Sequence, residues 1–317
     1  MSTPVIIDAN SLIKRCIMAS ALEDLKAGEV WTGGVYGTLT MLRTFLDDPD
    51  LEPGPIYAFF DNGTPENRLA LIPYYKEGRV EKRKLLTDEE KVRAFTQMHL
   101  ARLMLEKLGV LCVAYRDREA DDAVAAAVRV LAAEGYESVV WSSDTDLLQT
   151  VSMGARVYNG SRWITSENFE DEIGVPIETY NLYKVLVGKP SDSIPGAAGV
   201  GPKRGAEIIE EMKANLVYLS PVDQLTTIRK ALADKKKLRK FEQSIIDDLE
   251  RLKDVALGKD LSNSFGGTDG LRRRMAEHKP EVRRMDFLRF CKKLKFASVT
   301  GSPNQYLRPF EDAARRA

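Results

Sequence analysis

The chain is poor in several residues whose presence would mark common kinds of protein. Its 3 cysteines, Cys16, Cys112 and Cys291, form no C-x-x-C pair, which argues against both a disulfide framework and a zinc site and leaves them as buried or incidental thiols. Only 2 histidines occur, so no catalytic histidine can be placed. No apolar run approaches the roughly 18–20 residues of a membrane span, and neither a GxxxxGK[ST] phosphate loop nor a nucleophile elbow is present. The opening MSTPVIIDAN enters an apolar run with no basic stretch before it, so a secretory signal is not expected and a cytoplasmic setting is. The charges cancel, 47 Lys+Arg against 47 Asp+Glu. Net attraction to a polyanion is therefore absent, and any such affinity must come from how the charges are distributed.

What is present is enough apolar mass, 44% of 317 residues, for one large domain or two ordinary ones. The charges fall in blocks: basic at the start of 76–93, at RKALADKKKLRK (229–240), at Arg272, Arg273 and Arg274, and at Lys292, Lys293 and Lys295. Each block alone reads as a solvated helix face. Together, around a set of acids, they read as a surface for an anionic partner.

Short β-branched or aromatic runs at 5–8, 56–61 and 139–144 each end in an acid, and 110–114 is a fourth. Near-continuous apolarity suits strands covered on both faces. Between them, helical spacing covers 10–26, 34–47, 88–108 and 119–134. This alternation predicts an α/β domain with a mainly parallel sheet, its functional groups beyond the carboxyl ends of the strands, where Asp8, Asp61 and Asp144 stand. From about residue 176 the pattern turns helical, with helices expected at 177–187, 204–214, 226–232 and 237–252. The intervening GKPSDSIPGAAGVGPKRG (188–205) is too rich in glycine and proline for helix or strand and is expected as a structured turn. Residues 258–282 read as a loop-rich extension and 308–317 as a frayed helical tail.

The acids carry the chemistry. READD opens a helix with Glu119, Asp121 and Asp122 in its first turn, where the dipole favours anions; SSDTD sets Asp144 and Asp146 two apart after a strand. Alone, the first is an acidic helix start and the second an N-cap with a neighbour. If the sheet gathers these five with Asp8 and Asp61, mutual repulsion requires counter-charge. An all-oxygen donor set favours Mg²⁺ or Mn²⁺ over zinc, and one or two such ions imply phosphodiester hydrolysis. A phosphatase using Asp8 as nucleophile is disfavoured, because Asn10 stands where an aspartate is wanted.

The ordered motifs DAN at Asp8, FDNG at Asp61, YYKEGRVEKR at 74–83, READD, SSDTD and SDSIPGAAGVGPKRGAEII at 191–209 closely resemble the flap endonuclease and 5′ to 3′ exonuclease superfamily, which includes bacteriophage exonucleases and the 5′ nuclease domains of bacterial DNA polymerases. The resemblance implies a PIN-like nuclease core over 1–176 with a helical arch at about 64–108, a helix-three-turn-helix DNA-binding region over 177–257, and an extension of unassigned role over 258–317. It implies a Mg²⁺-dependent structure-specific 5′ nuclease, in a bacterial or phage-infected cell. Branched, nicked or 5′-ended duplex DNA is the substrate, a DNA polymerase in trans is a candidate partner, and the chain is expected as a monomer with no membrane association. By the same resemblance Asp8, Asp61, Glu119, Asp121 and Asp122 hold one metal, and Asp144, Asp146 and Asp192 a second. Lys76 and Arg79, at the foot of the arch, contact the scissile phosphate, with Lys184 nearby. Tyr74, Tyr75 and Arg83 lie along the arch, where a tyrosine either stacks on a base or simply packs. Gly199, Gly201, Lys203 and Arg204 meet DNA phosphates, and a K⁺ ion sits in the turn with Ser191 and Val200. The departure is Lys189, where the family usually has an acid for the second metal. Pointing inward, its ammonium would supply part of that ion's charge; pointing outward, it would leave the ion to the other acids. Ser193 likewise replaces the family's asparagine. A catalytically weakened junction binder is the alternative function, and a PIN-type ribonuclease is disfavoured by the Gly-rich turn.

Overall fold

A computed structural model describes residues 2–317 apart from Glu23 and Asn263. Its main sheet has strands β1 (Thr3–Asp8), β2 (Pro53–Phe60), β3 (Leu111–Ala114), β4 (Ser138–Trp141), β5 (Ala155–Tyr158) and β6 (Trp163–Ile164), in the order β3-β2-β1-β4-β5-β6. The pairs β1/β2, β1/β4, β2/β3 and β4/β5 are all parallel. Val5, Ile6 and Ile7 of the central strand are wholly buried, as a strand covered on both faces must be. In register, Ile7 lies opposite Ala58 of β2 and Trp141 of β4. The carboxyl ends of β1, β2 and β4 therefore share one edge, and the residues leaving that edge are Asp8, Asp61 and the Ser142–Asp144 turn.

By compactness the chain forms two units, the first of Met1–Gly63, Leu86–Trp163 and Gly267–Ala317, the second of Thr64–Leu85 and Ile164–Gly266. These differ from the boundaries at 176 and 257 drawn from sequence: residues 64–85 group with the helical part, and residues 267–317 with the sheet.

In the first unit, helices Ala9–Ile17, Gly33–Leu46, Asp88–Lys107 and Ala120–Ala133 connect the strands. The helix expected over 10–26 ends at Ile17, after which a short 3-10 turn, Ser20–Leu22, and a small hairpin take over. In the carboxyl-terminal region, 258–282 is loop-rich as expected apart from the helix Asp269–Ala276 and the end of the preceding helix; the helix Arg284–Lys293 follows, and the tail expected as frayed is the helix Pro303–Arg315. Phe287, Phe290, Cys291, Leu307 and Phe310 join Val5, Ile7, Leu39 and Trp141 in one apolar core. Apolar side chains at Tyr306, Leu307, Phe310 and Ala313 make the buried stripe that docks this last helix.

The second unit holds eight helices among its described residues: Glu66–Leu71, Glu77–Lys84, Phe169–Ile173, Tyr180–Val187, Pro202–Leu216, Pro221–Ala233, Lys240–Asp247 and Leu249–Lys259. The helix expected over 237–252 is two helices broken at Asp248. The Gly-rich segment is a structured turn, with Gly188–Lys189 paired antiparallel to Ile194–Pro195 around a 3-10 turn at Pro190–Asp192. Its carbonyls are held by side chains: Arg251 donates to Pro195 and Gly196 at 2.7 and 3.1 Å, and Ser244 to Ala198 at 2.9 Å. Among the described residues no helix is long and apolar enough to cross a membrane. Cys16, Cys112 and Cys291 are buried free thiols, as expected.

Candidate functional site

The acid edge is assembled by strand ends and helix starts of the first unit. Asp8 closes β1 and caps the next helix: its Oδ1 accepts from the Ser11 amide at 3.0 Å and its Oδ2 from the Ser142 hydroxyl at 2.9 Å. Ser142 Oγ in turn accepts from the Asp144 amide at 3.0 Å, and Asp144 Oδ1 from the Asp146 amide at 2.9 Å. One chain of hydrogen bonds thus links the ends of β1 and β4. Asp61, just past β2, accepts from the Ala120 amide at 2.9 Å and from the Asn10 side-chain amide at 2.7 Å, while its own amide donates back to Asn10 at 3.0 Å. Lys14 Nζ stands 3.7 Å from the same carboxylate. Glu119 is the N-cap residue of the Ala120–Ala133 helix, with Asp121 and Asp122 in its first turn. Glu119, Asp122 and Asp146 are buried.

Burial pushes the Asp8 carboxyl from its ordinary 3.8 up to about 6, and the nearby carboxylates of Asp61 and Asp144 push the same way against the Ser11 and Ser142 hydrogen bonds. Among the described residues, no three carboxylate, imidazole or thiolate groups converge closely enough to cage an ion as they stand. The donor set nevertheless fits a hard divalent cation. It is all oxygen, Asp8, Asp61 and Asp144 within it are held by hydrogen bonds, and its repulsion is felt at Asp8, where a cation would relieve it.

The remaining expected site residues lie in the second unit. Lys76 takes a left-handed conformation, φ 57°, at the start of the Glu77–Lys84 helix. The Arg79 guanidinium is engaged by Asp192 Oδ1 at 2.6 Å and by the Ser191 carbonyl at 2.9 Å. Arg83 is exposed and Lys184 half-buried. Tyr75 is 4% exposed, and its hydroxyl accepts from Arg68 at 3.3 Å and Lys259 at 3.5 Å. Of the two roles left open for it, the buried ring takes the packing one. Lys203 and Arg204 are exposed at the start of the Pro202–Leu216 helix. Arg204 bonds back to the Gly199 carbonyl and lies over the Phe241 ring, 4.5 Å from its centroid. Gly201 has nothing within 4 Å of where a Cβ would stand. Val200 is buried, Ser191 exposed. Lys189 points inward: its side chain is 14% exposed and its ammonium is 3.3 Å from Asp192 Oδ2.

Four residues with evident roles are not among the expected site residues. Asn10 and Ser142 orient the acids; both sit inside quoted motifs, DAN and SSDTD, and that is their signal. Ser193 accepts from the Gly78 amide at 2.9 Å, and Lys259 pairs with Asp192 at 3.4 Å. Lys259 carries no signal, being an ordinary lysine at a helix end.

Residues 3–174 match the family model for the 5′-3′ exonuclease N-terminal resolvase-like domain. DNA polymerase I of Mycobacterium tuberculosis is 31% identical over 239 residues, 73% of this chain and 25% of that protein, so the chain spans about a quarter of that relative's length. A 5′-3′ exonuclease of Bacillus subtilis is 28% identical over 75% of this chain and 82% of its own. Among solved structures, the 5′-exonuclease of bacteriophage T5 with divalent zinc bound superposes with a TM-score of 0.68 at 22% identity, over 87% of this chain and 99% of that one. The flap endonuclease of the same phage, in a complex with DNA and metal ions, gives 0.65 at 21% over 92% and 99%. At these identities the superpositions establish the shared PIN-like α/β fold. With the family model spanning more than half of the residues, the chain belongs to the 5′-3′ exonuclease family.

Proposed function

We propose that the chain is a divalent-metal-dependent 5′ nuclease that hydrolyses phosphodiesters of branched, nicked or 5′-ended duplex DNA. The observation that carries this reading is the hydrogen-bonded acid edge, where Asp8 is driven up to about 6 by burial and by its neighbours Asp61 and Asp144. Asp8, Asp61, Glu119, Asp121, Asp122, Asp144 and Asp146 are the residues that would hold Mg²⁺ or Mn²⁺. When bound, such an ion neutralises charge on the phosphate and lowers the pKa of a coordinated water. Ser11 and Ser142 orient Asp8, and Asn10 with the Ala120 amide orients Asp61, while the remaining donors close around the ion on loading. The basic residues Lys76, Arg83, Lys184 and Lys203 meet the DNA backbone, which makes recognition sensitive to shape and salt and not to base sequence. Amides at the start of the Pro202–Leu216 helix, beside Gly201, are suited to a phosphate. K⁺ at the Gly-rich turn, a polymerase acting in trans and a monomeric state belong to the same reading. The bound DNA and metal ions of the phage flap endonuclease support it.

The test is cleavage of an end-labelled flap duplex, a nicked duplex and a single strand in Mg²⁺, in Mn²⁺ and in chelator, beside Asp144→Ala. The expected result is ion-dependent cleavage near the junction, lost in the variant. Tight binding of the branched duplex without cleavage in either ion would make the chain a junction binder instead.

A further inference from the structure

The Glu77–Lys84 helix has no buried residue, so apolar packing does not hold it in place. Its amino end is instead fastened to the turn at Ser191–Ser193 by polar contacts. The Lys76 amide donates to the Asp192 carbonyl at 2.7 Å, the Gly78 amide to Ser193 Oγ at 2.9 Å, and Arg79 Nε to the Ser191 carbonyl at 2.9 Å. Arg79 also reaches Asp192 Oδ1 at 2.6 Å. The other carboxylate oxygen of Asp192 faces two ammonium groups, Lys189 at 3.3 Å and Lys259 at 3.4 Å. Asp192 is 1% exposed and the Lys259 side chain 7%, so their pairing takes place out of water, where loss of the one carboxylate leaves ammonium charge uncompensated. Lys76 and Ser193, on the two sides of this junction, both adopt left-handed backbone at φ 57° and 60°, a conformation that non-glycine residues hold only where surrounding contacts impose it.

A carboxylate with three cations on its two oxygens is a poor metal ligand, because an incoming divalent ion would have to displace or oppose them. We propose that Asp192 is not a metal ligand in this chain but the hub of an ion-pair clamp, closed by Lys189, Lys259 and Arg79, that fixes the turn carrying Lys76. Lys189 supplies by a tethered ammonium the positive charge that an ion would otherwise supply to Asp192. That the fixed turn serves DNA rests on the nuclease reading; the clamp and the ion count do not. Asp192, Lys189 and Ser193 are positioning residues on this account.

The test uses the full chain, without DNA, and two readouts: amide hydrogen exchange across 76–84, and the number and affinity of bound Mn²⁺ ions by electron paramagnetic resonance. In Asp192→Asn and Lys189→Met, amides at 78–82 are expected to exchange about tenfold faster or more, with Mn²⁺ number and affinity as in the unaltered chain. Lys189→Arg, which keeps the cation, is expected to restore protection. Loss of a class of bound Mn²⁺ in Asp192→Asn, with exchange unchanged, would overturn the proposal. Should Asp192→Asn fail to fold, the Lys189→Met and Lys189→Arg pair decides on exchange alone, and equal protection in both overturns the clamp. If the unaltered chain binds no Mn²⁺, the nuclease reading falls while the exchange data still judge the clamp.

Discussion

Asp8 shows how an acid edge is held at the expense of stability. The folded carboxyl keeps its proton up to about pH 6, whereas the unfolded one releases it near 3.8. Its favourable contribution is therefore complete below 3.8 and lost as the pH rises through 6. At neutral pH, without metal, the ionised form costs on the order of 3 kcal/mol. Asp8→Asn is thus expected to raise the melting temperature in chelator at neutral pH, to lose that advantage as the pH falls towards 3.8, and to abolish cleavage; melts across pH with a cleavage assay check all three. Two glycines of one turn separate fold from ligand in the same way. A Cβ on Gly196 would stand 2.4 Å from the Leu186 carbonyl oxygen, so Gly196→Ala is expected to cost roughly 3 kcal/mol or more. Gly201 has no such neighbour and a negative φ of −98°. Gly201→Ala is therefore expected to leave stability within about 0.5 kcal/mol and, on the proposed contact of this turn with a DNA phosphate, to weaken DNA binding. Denaturant melts and a DNA titration distinguish the two variants.

At the scale of elements, the Lys240–Asp247 helix depends on one charge. Glu242 accepts from the Arg239 guanidinium at 2.7 Å, the Arg239 amide at 2.7 Å and Lys235 at 2.8 Å, and these hold its carboxyl down from 4.5 to about 2. A depressed carboxylate stabilises fully above 4.5, and the contribution disappears as the pH falls through 2. Glu242→Gln is expected to be less stable than the unaltered chain at neutral pH, with the gap closing in acid, as melts against pH will show. The last helix, Pro303–Arg315, is equally structural. Phe310→Ala is expected to cost about 3–5 kcal/mol of unfolding free energy, measured by denaturant titration. Its stripe of Tyr306, Leu307, Phe310 and Ala313 is legible as helical spacing. The charges between these residues and the glycines of 258–282 mask it, so the segment reads as a frayed tail. β1, β2, β3 and β4 are legible because strands buried on both faces are continuously apolar. β5 is not, since ARVY alternates and resembles the end of a loop. The break at Asp248 is hidden because helical periodicity continues across it.

For the whole molecule, the acid edge is legible in the sequence because parallel strands bring their carboxyl ends together. Asp8, Asp61 and Asp144 have only to follow apolar runs. What sequence does not supply is the pairing within the second unit, where Lys189, Lys259 and Arg79 converge on Asp192 from three separate segments. Lys189, three residues from Asp192, is legible as a candidate partner, but spacing along the chain carries no trace of Arg79 and Lys259. If the acid edge serves hydrolysis at a 5′ end, cleavage must depend on the polarity of the flap. Two internally labelled duplexes of identical sequence, one with a single-stranded 5′ flap and one with the same flap at the 3′ end, are incubated with the protein in Mg²⁺, and the products are sized. Cleavage near the junction of the 5′ flap and none of its 3′ counterpart is expected; equal cleavage of both, or of the 3′ flap alone, would exclude hydrolysis specific to a 5′ end.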